Sequence, residues 1–205
     1  MTTKEYKTSY TTGSLFFREA IMVAELYFDL GDWFLVRNKI LENNLLQART
    51  QSSFKRTLQE LLQRLQCLTN DQLLILMDGS RQEQNQILWL AVCKHYRIIH
   101  EFAIEVIREK FLRLDVILSY LDYDVFFNSK AEWHEGLDQL TDATKKKLRQ
   151  VLFRILHEAE IISSTNKILP TIVSARVAVS IVNDNPAYLA IFPITDAEIQ
   201  KQAKK

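Results

Sequence analysis

Glycine and proline are scarce in this chain, four and three respectively in 205 residues. A sandwich or barrel needs turn residues at nearly every hairpin, so a turn-rich β architecture is excluded. The same shortage leaves no glycine-rich phosphate loop. Cysteine is scarcer still. Cys67 and Cys93 lie far apart, form no metal-spaced pair, and read as small buried residues of a reduced, cytoplasmic protein. Long apolar runs are missing too: 87–93 is too short to span a bilayer, and 168–182 is broken by Pro170, Ser174 and Arg176. Met1 to Thr12 is polar, so no signal peptide is expected. Charge of one sign is also lacking. The formal net charge of +1 gives no global pull toward nucleic acid, so any such surface must come from local sorting of charge.

What is present is a helix-forming composition dominated by Leu, Ile, Gln, Glu, Lys and Arg. An apolar share of 47% against 25% charged residues suits a soluble globule rather than a disordered chain. The expectation is an all-α protein, a single compact helical domain over 13–205 behind a flexible N-terminal arm, 1–12. Ser14 can cap a helix over 15–29, and Gly31-Asp32 breaks and restarts it as a second over 33–44. Capping boxes at Thr69–Gln72, Ser80–Glu83 and Thr195–Glu198 open three more. The second of these predicts the longest helical run, 81–112, broken near Tyr96–His100 and buried all round from Ile87 to Ile107. The spacing continues helical, less regularly, over 115–121 and 124–128, with a helix around 130–136. Residues 161–170 read as a wing-like loop, and 171–182 fit either a strand or a helix.

The positive charge is carried by two stretches that repeat at an offset of 90 residues. Ser52-Ser53-Phe54-Lys55-Arg56 leads into Leu58, Leu61, Leu62, Leu65 and Arg64. Asp142-Ala143-Thr144-Lys145-Lys146-Lys147 leads into Leu148, Val151, Leu152, Ile155 and Arg154. Each predicts a helix with a cap residue, cations in its first turn and one apolar face, over 53–67 and 143–158. First-turn cations oppose the helix dipole, so they do not serve helix stability. They suit the reading helix of a helix-turn-helix unit, although an ordinary solvated face has the same pattern. Two units follow, 33–67 and 124–162, the second resembling a winged helix. The candidate DNA contacts are Arg49, Ser52, Ser53, Lys55, Arg56 and Gln59 in the first, and Lys145, Lys146, Lys147 and Arg149 in the second. Lysines would contact phosphate as point charges, while Arg56, Gln59 and Arg149 could read bases.

No catalytic constellation is apparent. His95 and His100 are five apart and point to different sides of a helix, and Glu101 with Glu105 reads as a face paired by Arg97 and Arg108. The chain is therefore expected to be no enzyme, with no cofactor and no metal. Tyr123, Phe126, Phe127 and Trp133 could stack on single-stranded bases, though a core beneath the second repeat helix accounts for them better. Phe153 falls on the outward side of its helix beside Lys146, which favours a rival reading: a helical adaptor whose basic faces dock partner proteins.

With these stretches read, the chain resembles the BrxA family, the small A components of bacteriophage-exclusion (BREX) defence systems. The resemblance rests on 50–56 with Arg64-Leu65, on Lys94-His95-Tyr96-Arg97 followed by 105–110, and on Asp124-Val125-Phe126-Phe127. It extends through 144–148 and 156–162 to Phe192-Pro193 and Asp196. It implies an all-helical, non-catalytic protein with two helix-turn-helix-like units that binds double-stranded DNA beside other proteins of an antiviral system. The expected protein is cytoplasmic, without membrane attachment, and monomeric alone. One departure stands out. Leu156-His157-Glu158-Ala159-Glu160-Ile161-Ile162 matches the end of many winged helices, but Glu160 replaces the usual glycine, which argues against a tight turn and a paired β wing.

Overall fold

A computed structural model describes residues 5–46 and 50–203, and shows an all-α fold. Its first helices are set by their caps. α1 (Phe17–Leu30) closes at Gly31, whose positive φ of 68° lets its N–H reach the Tyr27 carbonyl at 2.7 Å. Asp32 then caps α2 (Trp33–Asn43), accepting from the Phe34 and Leu35 amides at 2.7 and 3.0 Å. α1 starts two residues later than predicted: Phe16 adopts φ 56°, and Ser14 accepts from the Phe16 amide instead of capping the helix. α3 (Gln51–Leu65) and α4 (Asn70–Asp78) follow, the latter opened by the Thr69–Gln72 box.

α5 (Arg81–His95) starts from the Ser80–Glu83 box and is the central helix, with Ile87 to Cys93 all buried. Trp89 sits fully inside and donates its indole N–H to the Ile191 carbonyl at 3.2 Å. The expected break falls at Tyr96, whose extended ψ of 97° ends α5. α6 (Arg97–Phe102) then runs through a π-helical segment (Ala103–Arg108) into α7 (Glu109–Leu112).

The next stretch corrects the sequence reading. Residues 113–119 are not helical; Leu114 has φ 61°, and α8 (Tyr120–Ala131) begins only at the Ser119–Asp122 capping box, whose aspartate made it harder to see. The short α9 (Glu135–Asp138) and the long α10 (Asp142–Glu158) follow. Beyond α10 the chain does pair as a wing would. Ile162 and Ile168 bridge antiparallel, and Ile117 bridges to Lys167 on the other side. The turn that the glutamate argued against is made nonetheless, with Glu160 itself at φ 58°. The undecided segment resolves as α11 (Ala175–Asp184), because Ser174 caps it and Val177, Ala178 and Ile181 share one buried face. α12 (Asp196–Ala203) starts at the Thr195–Glu198 box.

The N-terminal segment also departs from expectation. Residues 1–4 lie outside the described residues, but the rest of the expected arm is packed. Tyr10 is fully buried with its hydroxyl 3.2 Å from that of Tyr123, and the Tyr6 hydroxyl donates to Glu101 at 2.5 Å. The turn at Tyr10–Thr12 packs on both α3 and α10. Two tyrosines in an otherwise polar stretch supply enough apolar area to hold it down. Among the described residues, no helix is long and apolar enough to cross a membrane.

Candidate nucleic-acid interface

The helix of the first basic stretch begins two residues earlier than its serines suggest. Thr50 is the N-cap: its hydroxyl accepts from the Ser53 amide at 3.2 Å, and Ser53 donates back to the Thr50 carbonyl at 2.9 Å. Ser52 is therefore a first-turn residue and not the cap. Phe54, Leu58, Leu61, Leu62 and Leu65 are buried, which turns Ser52, Ser53, Lys55, Arg56 and Gln59 to solvent. Arg49 lies outside the described residues. Gln59 stands between two clefts. One, of about 440 Å³, sets Lys55 opposite Arg37 of α2. The other, of about 280 Å³, joins Arg56 to Ser9 and Thr11. Arg37 was missed in the sequence because α2 has no run of cations, with Lys39 as its one other basic residue; only the crossing of α2 and α3 brings Arg37 to Lys55.

The far end of α3 is structural. Arg64 is buried and ion-paired to Glu60 at 2.6 Å, and donates to the Ser14 carbonyl at 2.7 Å. Its guanidinium lies 5.5 Å from the Phe16 ring centre and 5.7 Å from that of Tyr96. Tyr96 donates its hydroxyl to the same Glu60, and burial together with that carboxylate pushes its phenol well up from the usual range.

The second basic stretch is capped by Thr141, which accepts from the Thr144 amide at 3.2 Å, so Asp142 is the first helical residue rather than the cap. Leu148, Val151, Leu152 and Ile155 are buried; Lys146 and Lys147 are exposed, and Lys145 is half-buried. Arg149 is different. It is half-buried, ion-paired to Asp124 of α8, with its guanidinium 4.7 Å from the Tyr120 ring centre. Phe153 does not face outward as expected: Tyr120 covers it edge-on at 4.6 Å and it is buried. A wheel drawn for an isolated helix could not show the aromatic supplied by α8. Of the aromatic cluster, Tyr123, Phe126 and Phe127 are core, while Trp133 is 82% exposed.

Both helices thus start earlier than predicted, which puts the exposed Lys55, Arg56, Lys146 and Lys147 in their second turns rather than their first, and each helix is clamped to the core by its opposite face. The comparisons with known proteins agree on one family. The family model for BrxA matches residues 4–185. A protein of Bacillus cereus (strain H3081.97), named BREX protein BrxA, is 30% identical over 154 residues, 75% of this chain and 77% of that one. A protein of the same name from Escherichia coli O9:H4 (strain HS) is 27% identical over 147 residues, 72% of this chain and 69% of its own. The crystal structure of an uncharacterized protein from Magnetospirillum magneticum superposes with a TM-score of 0.82 at 25% identity, covering 93% of this chain and all of that one. With a family model spanning most of its length and relatives of that name covering about three-quarters of it, the chain belongs to the BrxA family.

Proposed function

We propose that this protein is a non-catalytic component of a BREX phage-defence system that binds duplex DNA, mainly through phosphates and with low sequence specificity. The observation that carries the reading is the pair of exposed cation clusters in the second turns of α3 and α10, Lys55 with Arg56 and Lys146 with Lys147, on helices whose opposite faces are buried. Neither pair packs into the core, and a ligand of opposite charge gives these cations a partner. In this reading α2–α3 and α8–α9–α10 act as two helix-turn-helix-like units, with the paired loop at 161–169 beside the second as a wing. Arg149 contributes little, because Asp124 already neutralises it. The adaptor alternative loses the residue that favoured it, since Phe153 is buried.

The test is a mobility shift with random duplex DNA over a salt series. If three to five cations contact phosphate, log K against log salt falls with a slope of about −3 to −5. A flat response, or no shift at low salt, would remove the DNA reading and restore the adaptor.

A further inference from the structure

Away from the two basic helices lies a surface that DNA binding does not use. Between the π-helical segment, α7 and α8 runs a groove of about 420 Å³. Its apolar wall is Leu121 and Val125, one turn apart on α8 and 69% and 62% exposed, above the buried Phe126. α8 already buries Tyr123, Phe126, Phe127 and Ala131 on its inner side, so these two outer residues add little to the fold. Leu114 and Ile117, in the connection that leads into α8, are 84% and 55% exposed. Neither of these lines the groove, but Leu121 and Val125 adjoin there rather than being scattered singly, and such a pair marks an interaction site.

Two backbone features fall at the same place. The π-helical form of Ala103–Arg108 is rare, and such segments are frequent at functional sites. Leu114 holds a left-handed conformation with φ 61°, strained for its side chain. The rim is acidic, with Glu105, Glu109, Asp115 and Asp122 against Lys110 and Arg113. Both cations are already engaged: Lys110 with Asp115 and Asp122 at 2.6 and 3.3 Å, Arg113 with Glu109 at 3.4 Å. Lys130 of α8 holds Glu105 at 2.7 Å, so the four rim carboxylates meet three cations and keep a net charge of −1.

We propose that this groove receives an amphipathic helix of a partner protein, seated by apolar residues at i and i+4 and flanked by lysine or arginine. The apolar wall between helical elements calls for a helix laid in a groove, and the acidic rim calls for cations beside it. Nucleic acids and anionic lipid surfaces are repelled by the same rim. α8 turns Tyr120 and Asp124 toward α10 and Leu121 and Val125 toward the groove. The protein can therefore hold DNA and this helix together.

The experiment uses the full chain and a fluorescent synthetic helix of about 18 residues, long enough for five turns, with leucines at spacings of three and four and flanking lysines. A second peptide carries glutamates in place of the lysines. The lysine peptide should bind at least about tenfold more tightly. Leu121→Ser with Val125→Ser, which leaves the charge unchanged, should weaken that binding at least about tenfold while the melting temperature and the DNA shift stay as they were. Equal binding of both peptides, or binding indifferent to the double serine variant, would overturn the proposal. So would a dimer seen by sedimentation that the variant dissolves, since the occupant would then be a second copy.

Discussion

α3 and α10 have nearly the same residue pattern, yet the protein uses them differently. In α3 the far arginine, Arg64, is locked inside with Glu60, while Lys55 and Arg56 at the near end are in water. In α10 the corresponding arginine, Arg154, is exposed, and the position of Glu60 is taken by Gln150, also exposed. The residue drawn into an ion pair is instead Arg149, matched in α3 by the free Gln59. Neighbours make the difference. α3 is crossed by the chain around Ser14 and by Tyr96, which close over its end, whereas α10 meets Tyr120 and Asp124 near its middle. A repeat in sequence is thus a repeat of amphipathic helices, and not of the roles of their charged residues.

The largest test of this comparison lies in the two arginines. Arg64→Ala leaves Glu60 buried without its cation and should cost about 3–5 kcal/mol of stability, measured by urea unfolding. Arg154→Ala should stay within about 0.5 kcal/mol. Equal costs would mean that the two helix ends are not different in kind. Charge reversal addresses the ends that the helices share. Lys55→Glu with Arg56→Glu, and separately Lys145→Glu with Lys146→Glu, should each weaken DNA binding and reduce the steepness of the salt slope by about 2, with helical content and melting temperature nearly constant. A loss confined to one pair would show that only one unit binds. The smallest effect concerns the turn that follows α10 and has no counterpart after α3. Glu160→Gly exchanges left-handed strain for chain entropy and should shift stability by less than about 1 kcal/mol. Glu160→Val, β-branched at the same positive φ, should cost about 1–2 kcal/mol. If both variants behave alike, the left-handed conformation at 160 carries no strain.

Much of this was legible in the sequence where a local rule governs. The Thr69–Gln72 and Ser80–Glu83 boxes place α4 and α5 because the side chains that satisfy the first amides are within three residues of one another. The buried leucines of α3 and the buried Leu148, Val151, Leu152 and Ile155 of α10 follow from the 3.6-residue period. The candidate site was legible for Lys55, Arg56, Lys146 and Lys147, whose exposure follows from the same period. It failed at Phe153 and Arg149, where the decisive partners, Tyr120 and Asp124, come from another helix. Arg37, beside Lys55, was not legible for the same reason.

By itself, then, the sequence determined that the chain is helical, where most of its helices begin, which face of each is apolar, and that its cations collect at two helix starts. Those properties depend on contacts within one or two turns. Only the tertiary structure decided which cations stay free, that Tyr6 and Tyr10 pin the N-terminal segment, and that Leu121 and Val125 line an acidic groove instead of the core. Each of those outcomes depends on what a distant part of the chain places opposite the residue, and burial, ion pairing and exposure are properties of that encounter.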